Sequence, residues 1–224
     1  TTAQISHVYS NFSGVDETIT YVVTPYSTAG DCQGSNFEFK VIVHPEPVGS
    51  NLNDPVCSTT LNHDIQTQIT NGLNSIFTYT VSSDNGGVPA GPNRVVASNA
   101  PITDAYVNGT GSPANITYTI TPFNAANPTC QGSVFTYTVN ISPNPTGVSD
   151  TKPAVCSDVP FSIDPQGNIV PAVASTFTWT ATYDAPMTGP ASGSGVIAGT
   201  IHNETNSQLF AHYTVTPTAG TCVG

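Results

Sequence analysis

Apolar and polar residues alternate with a period of two along several stretches of the chain. Ile116, Tyr118 and Ile120 hold one phase, and Thr117, Thr119 and Thr121 the other. Phe135, Tyr137, Val139 and Ile141 repeat the pattern, as do Phe37, Phe39, Val41 and Val43. A strand sends successive side chains to opposite faces, so this period predicts sheets with one face on a core and the other in water. Two more such strands are predicted over 75–84 and 175–184. Phe77, Tyr79 and Val81 face inward in the first, and Phe177, Trp179 and Ala181 in the second. Helix-favouring residues are sparse or unclustered, so the fold class is all-β.

The strands recur. "ITYVVTP" at 19–25, "ITYTITP" at 116–122 and "AHYTVTP" at 211–217 start 97 and then 95 residues apart. Each leads to a Cys-x-Gly turn, and the first two continue into a second strand that ends in Pro-x-Pro at 45–47 and 143–145. "PVCSTTLNHDI" at 55–65 matches "AVCSDVPFSID" at 154–164, and 92–108 supplies two further strands around Val95 and Ile102. Roughly six or seven short strands per repeat predict tandem immunoglobulin-like antiparallel β-sandwich domains. Residues 1–47 read as the C-terminal half of one repeat, 48–145 as a complete repeat, and 146–224 as a repeat lacking its last strand. A missing strand leaves an open edge and half a core, so the expectation is an excerpt of a longer array. Pro25, Pro122 and Pro217 are expected to end their strands, because proline cannot donate to a ladder. The Pro-x-Pro junctions are expected to act as extended, semi-rigid spacers.

Composition narrows the function. Only 8% of the 224 residues are charged and the net charge is −11, with Lys40, Arg94 and Lys152 the only lysines and arginines. No basic patch can replace phosphate counterions, so nucleic acid is excluded as a partner, and anionic membrane surfaces are disfavoured. No apolar run suffices for a membrane span, and no signal peptide is visible at Thr1. Lys40 and Arg94 lie in or beside predicted strands and Lys152 precedes proline, so the intact protein is expected to resist trypsin.

Candidate chemistry is thin. The five histidines are scattered, and no nucleophile elbow supports a Ser-His-Asp set. "GSGVIAG" at 193–199 lacks the lysine and the helix of a phosphate loop and reads as a turn. Calcium could involve Asp54, or Asp150 with Asp158, but the Asp-x-Asn-x-Asp spacing of loop sites is absent. The expectation is therefore no enzyme, no cofactor and no metal. Asparagine sequons at Asn11, Asn108, Asn115, Asn140 and Asn203 are of the kind an Asn- and Thr-rich chain produces by chance. Trp179 and Tyr79 share a repeat column, which favours core packing over sugar stacking.

Five cysteines occupy two repeat positions: Cys57 and Cys156 in V-C-S, and Cys32, Cys130 and Cys222 in C-x-G. Zinc would need ligands at close spacing, and no Cys-x-x-Cys exists, so disulfides are expected. A strand of about 26 Å separates Cys32 from Cys57, too far for a bridge. In an immunoglobulin-like sandwich the first strand starts at the same end as the turn before the last strand. The expected pairs are therefore Cys57–Cys130 and Cys156–Cys222, with Cys32 paired to a cysteine upstream of Thr1. Such bridges would carry tension past the interior of each repeat, leaving roughly 90 Å to extend instead of roughly 340 Å.

The ordered string N-x-T-G, Y-T-x-T-P, Cys-x-Gly, F-x-Y-x-V, P-x-P and V-C-S resembles the PKD-like repeats of giant Bacteroidota surface proteins, most closely the SprB-type gliding-motility adhesins. The resemblance implies export by the type IX route and display as long filaments on the outer surface. It also implies that outer-membrane motility machinery carries the filaments and that they adhere to an external surface or polysaccharide. The segment is then a structural and adhesive stalk whose neighbours are further repeats. A carbohydrate- or protein-binding module appended to a secreted enzyme is the alternative. "DTK" at 150–152 lacks the apolar third residue of that phylum's glycosylation signal.

Overall fold

The computed structural model describes residues 4–96 and 100–224, with the backbone alone for 94–96. The first unit is one antiparallel pair, β1 (Glu17–Val23) with β2 (Phe37–Val43). The second contains β3 (Leu52–Cys57), β4 (Thr59–Thr60), β5 (Ser75–Ser83), β6 (Arg94–Val96), β7 (Ala105–Tyr106), β8 (Ala114–Asn124) and β9 (Phe135–Ser142). The third contains β10 (Thr146–Gly147), β11 (Phe161–Ile163), β12 (Ile169–Val170), β13 (Thr176–Tyr183), β14 (Ser192–Ser194), β15 (Ile197–Gly199), β16 (Ala211–Ala219) and β17 (Cys222–Val223). The all-β, immunoglobulin-like reading is borne out.

In the second unit a five-stranded sheet, ordered β3-β9-β8-β5-β6, packs against the β4–β7 pair. Bonds between Leu61 and Asp104 and between His63 and Ile102 prolong that pair. All pairings are antiparallel except one: β3 lies parallel to β9, from Leu52↔Tyr137 to Cys57↔Ser142. The alternating residues behave as their period requires. Ile116, Tyr118 and Ile120 on β8, and Phe135, Tyr137, Val139 and Ile141 on β9, are buried in one core with Phe77, Tyr79, Ile65 and Ile102. A polar chain runs through it. Tyr118 donates to Asp104 Oδ2 at 2.9 Å and meets the Tyr106 hydroxyl at 2.7 Å. Burial pushes the Tyr118 hydroxyl well above its ordinary pKa, so it stays a donor at any physiological pH.

Pro122 and Pro217 do not end their strands, contrary to expectation; β8 and β16 run through them, whereas β1 stops before Pro25. In an antiparallel strand a residue's N–H and C=O point to the same side. The carbonyls of Pro25, Pro122 and Pro217 accept from Gly34, Gly132 and Gly224 at 2.8, 3.0 and 3.0 Å. The missing N–H therefore falls on the Cys-x-Gly side and leaves the β5 and β13 ladders whole. The T-P…C-x-G phrase is thus one hydrogen-bonded turn, repeated three times. Two short 3-10 turns, Ile65–Gln68 and Pro165–Asn168, are capped by Asp64 and Asp164; the periodicity gives no sign of them.

The third unit repeats the second without a strand in the place of β9. Residues 150–156 match β3 in sequence but form no ladder and are exposed. Ala211, Tyr213 and Val215 are only half-buried, where Ile116, Tyr118 and Ile120 are fully buried. The first unit shows the complementary deficit: Phe37 and Phe39 on β2 are about half exposed, whereas Phe135 and Tyr137 are buried.

The disulfide pairing differs from expectation. Cys57 is bonded to Cys222, with Cα atoms 5.5 Å apart, and Cys32, Cys130 and Cys156 are unbonded. Neither Cys57–Cys130 nor Cys156–Cys222 forms. The reason is where Cys57 lies along β3. Its start does lie beside the Cys-x-Gly turn, but Cys57 is at its far end, opposite Ser142. Six residues at about 3.3 Å place it roughly 20 Å from the turn that holds Cys130, beyond the roughly 7 Å a bridge allows.

The N-x-[ST] phrases are structural. Asn108 is 1% exposed; its Nδ2 donates to Ser112 O at 2.9 Å and Ile141 O at 2.7 Å, while its Oδ1 accepts from Thr110 N. Asn11 likewise donates to Val15 O and Val43 O. Each asparagine ties a turn to the last strand of its sandwich, which leaves no amide hydrogen for a glycan. Asn203 forms the turn, donating to Ser207 O, and has no last strand to hold. Asn108→Ala is expected to cost about 2–4 kcal/mol by orphaning buried carbonyls, and Asn203→Ala under about 1 kcal/mol, in urea unfolding. A second pin joins Asp84 to Asn115, whose backbone and side-chain amides both donate to the carboxylate at 2.7 Å. These bonds hold Asp84 below its ordinary value of 3.8. A depressed folded-state pKa contributes stability that is present above the unfolded value and lost as pH falls through the folded one. The urea midpoint should therefore drop below about pH 4, and Asp84→Asn should flatten that part of the profile.

Candidate functional site at the interdomain junctions

The residues that do the most between units surround the two Pro-x-Pro segments. These are not open spacers, as expected from composition: Pro45, Pro47, Pro143 and Pro145 are all buried. At the first junction Asn124 Nδ2 donates to Pro45 O at 3.0 Å, and Asn71 Nδ2 donates to Glu46 O at 2.9 Å and Phe12 O at 3.3 Å. Asn71 Oδ1 accepts from Val48 N at 3.3 Å, and Glu46 N donates to Asn11 O at 2.9 Å. One asparagine of the second unit thus bonds the linker on both sides and reaches a turn of the first. Each bond to these otherwise buried carbonyls contributes about 1 kcal/mol and removes a larger penalty for leaving them dry.

At the second junction the amide clamp is gone: Pro171 stands in the place of Asn71, and Ala219 in that of Asn124. The Cys57–Cys222 bond joins the end of β3 in the second unit to β17 in the third. Ser58 N donates to Asn144 Oδ1 at 3.2 Å beside it. Beyond the linker, β10 pairs with β12, and Val148 and Asn168 exchange bonds at 2.8 and 3.0 Å.

A glycine makes both close approaches possible. A Cβ on Gly132 would lie 2.0 Å from Pro47 O, and one on Gly224 would lie 1.8 Å from Pro145 O. The Gly of C-x-G is where the turn of one unit lies flat on the linker before it.

The other sequence candidates are dispersed. Asp54 accepts from the Tyr137 hydroxyl at 3.2 Å, Asp150 pairs with Lys152, and Asp158 pairs with His202 at 3.0 Å. The lysine holds Asp150 below the usual carboxylate range. His202 holds Asp158 low and is itself raised, by Glu204 first and then Asp158. Among the described residues no three acidic, histidine or cysteine side chains gather as a metal set, and no helix is long and apolar enough to cross a membrane. Tyr79 and Trp179 are both buried, and Trp179 lies edge-on to Tyr213 at 5.6 Å. They pack cores and present no sugar platform.

Sequence reasoning missed Asn71, Asn124 and the bond that skips to the next unit. The last turns on the extent of the first strand: V-C closes β3 and so belongs to the exit end of its domain.

A model of the PKD-like domain matches residues 1–47, 54–145 and 153–224. Neither a curated protein nor a solved structure matches the chain.

Gly132→Ala is expected to lift the second unit's turn off the linker, at about 1–3 kcal/mol of overpacking strain. Small-angle scattering should show a broader spread of interdomain angles at the first junction. An unchanged profile and unfolding midpoint would show that the contact is slack.

Proposed function

The chain belongs to the PKD-like domain family, and we propose that it is a structural and adhesive repeat segment of a long extracellular, cell-surface protein that carries tension between a cell and what it adheres to. PKD-like domains are typically extracellular, and their repeats often have structural or adhesive roles. The observation that carries the reading is the covalent bond across a buried linker, Cys57 to Cys222. A disulfide of this kind belongs to an oxidising compartment. Under tension it routes force from β3 of one unit directly to the last turn of the next. The finer reading is a filament adhesin of gliding cells, exported by the type IX route, moved by outer-membrane machinery and attached to a surface or polysaccharide. The order of motifs supports that reading.

The bond spans a sequence separation of 165 residues. At about 3.5 Å per residue it withholds roughly 580 Å of extension. Pulling single molecules by residues 48 and 224 should give short, stiff traces without reductant and release roughly that length with it. Equal contour lengths in both conditions would remove the force-bearing role.

A further inference from the structure

We infer a cross-linking rule for the array: the V-C-S cysteine of each unit bonds the C-x-G cysteine of the unit that follows it. Cys32 and Cys130, in C-x-G turns, and Cys156, in V-C-S, are then open halves of the kind of bond that Cys57 and Cys222 have closed.

Cys130 is seated as Cys222 is. Two residues on, Gly132 lies on Pro47 O and donates to Pro122 O at 3.0 Å; Gly224 lies on Pro145 O and donates to Pro217 O at 3.0 Å. The second unit therefore meets the linker before it as the third unit meets its own. Cys130 is half-buried, two residues before the glycine that rests on the preceding linker. Its counterpart in this same structure holds a V-C-S sulfur.

Cys156 is the counterpart of Cys57, at the end of a stretch that matches β3 and has no partner strand. Beside it runs a groove of about 630 Å³, lined by Phe161, Ile163, Met187, Tyr213 and Val215. In the second unit β9 fills this place and its end, Ser142, fixes Cys57 at the junction. A strand of the β9 pattern laid in the groove would give 150–156 the same parallel partner and carry Cys156 to the exit end of its unit. The rival pairing of Cys156 with Cys222 fails on the strand length that separates Cys57 from Cys130.

Each bond forms when two thiols give up two protons and two electrons to a disulfide oxidant, such as glutathione disulfide, which leaves as two thiols. The rule deepens the stalk reading. Its test reads bonds and not extension, so its failure leaves the pulling experiment on Cys57–Cys222 intact.

The test is an extended chain in which residues 133–224 are appended after Gly224, with Cys156→Ser in the appended copy only. Oxidative refolding with glutathione disulfide, alkylation and peptide mapping without reduction then locate each bond. Cys57–Cys222 should persist, and Cys156 should join the cysteine of the appended Thr-Cys-Val-Gly terminus. Alkylation of Cys156 should fall from complete in the 224-residue chain to background. A bond from Cys156 to Cys222 or Cys130, or a Cys156 still open to alkylation in folded material, overturns the rule. The 224-residue chain gives a second reading. Cys57→Ser should leave Cys222 alkylatable, and a Cys156–Cys222 bond appearing there also overturns it.

Discussion

The parallel pairing of β3 with β9 is the constraint on which the rest depends. It places the first strand of the sandwich alongside the last and running the same way, so that Cys57 ends level with Ser142. Both then point at the next unit. A cysteine in that position has no partner within its own domain, because the Cys-x-Gly turn sits at the other end. The antiparallel hairpins build the core, but this one parallel edge decides where the covalent bond goes.

The bonds this structure shows at the two junctions differ. At the first, Asn71 and Asn124 satisfy linker carbonyls that the buried prolines would otherwise leave dry. At the second, those positions are Pro171 and Ala219, and a sulfur bridge spans the seam. A hydrogen-bonded clamp is lost and remade one bond at a time, whereas the disulfide holds until it is reduced. The disulfide's effect on stability is also peculiar. Closing a 165-residue loop is worth about 5 kcal/mol on the chain-entropy model. Because its ends lie in different domains, that term acts fully only on the state in which both have unfolded.

Much of this was legible in the sequence, for a physical reason. A half-buried strand must alternate, so Ile116, Tyr118 and Ile120 announced both their strand and their face. The repeated phrase then gave the sandwich three times over. Where a strand begins and ends is not written in alternation: the expected pairing set Cys57 near the turn end of the first strand, whereas that strand starts at Leu52 and ends at Cys57. Composition also misled at the linkers. Pro-x-Pro favours an extended backbone whether water or another domain surrounds it, and burial is set by partners such as Asn71, more than twenty residues away. The prolines of the T-P phrase show the same limit, since the side on which a missing N–H falls depends on register.

The bridge between Cys57 and Cys222 also bears on how such a chain can change length in evolution. Both cysteines sit in recurring motifs, V-C-S in the second and third units and C-x-G in all three. Removing or duplicating one whole repeat by unequal recombination therefore gives each V-C-S sulfur a new neighbour with the same turn in the same place. A bond confined to one domain would tolerate this trivially but would leave the seams unsewn. A bond between neighbours of identical design sews every seam and still lets the gene gain or lose repeats without stranding a thiol in the middle of the array.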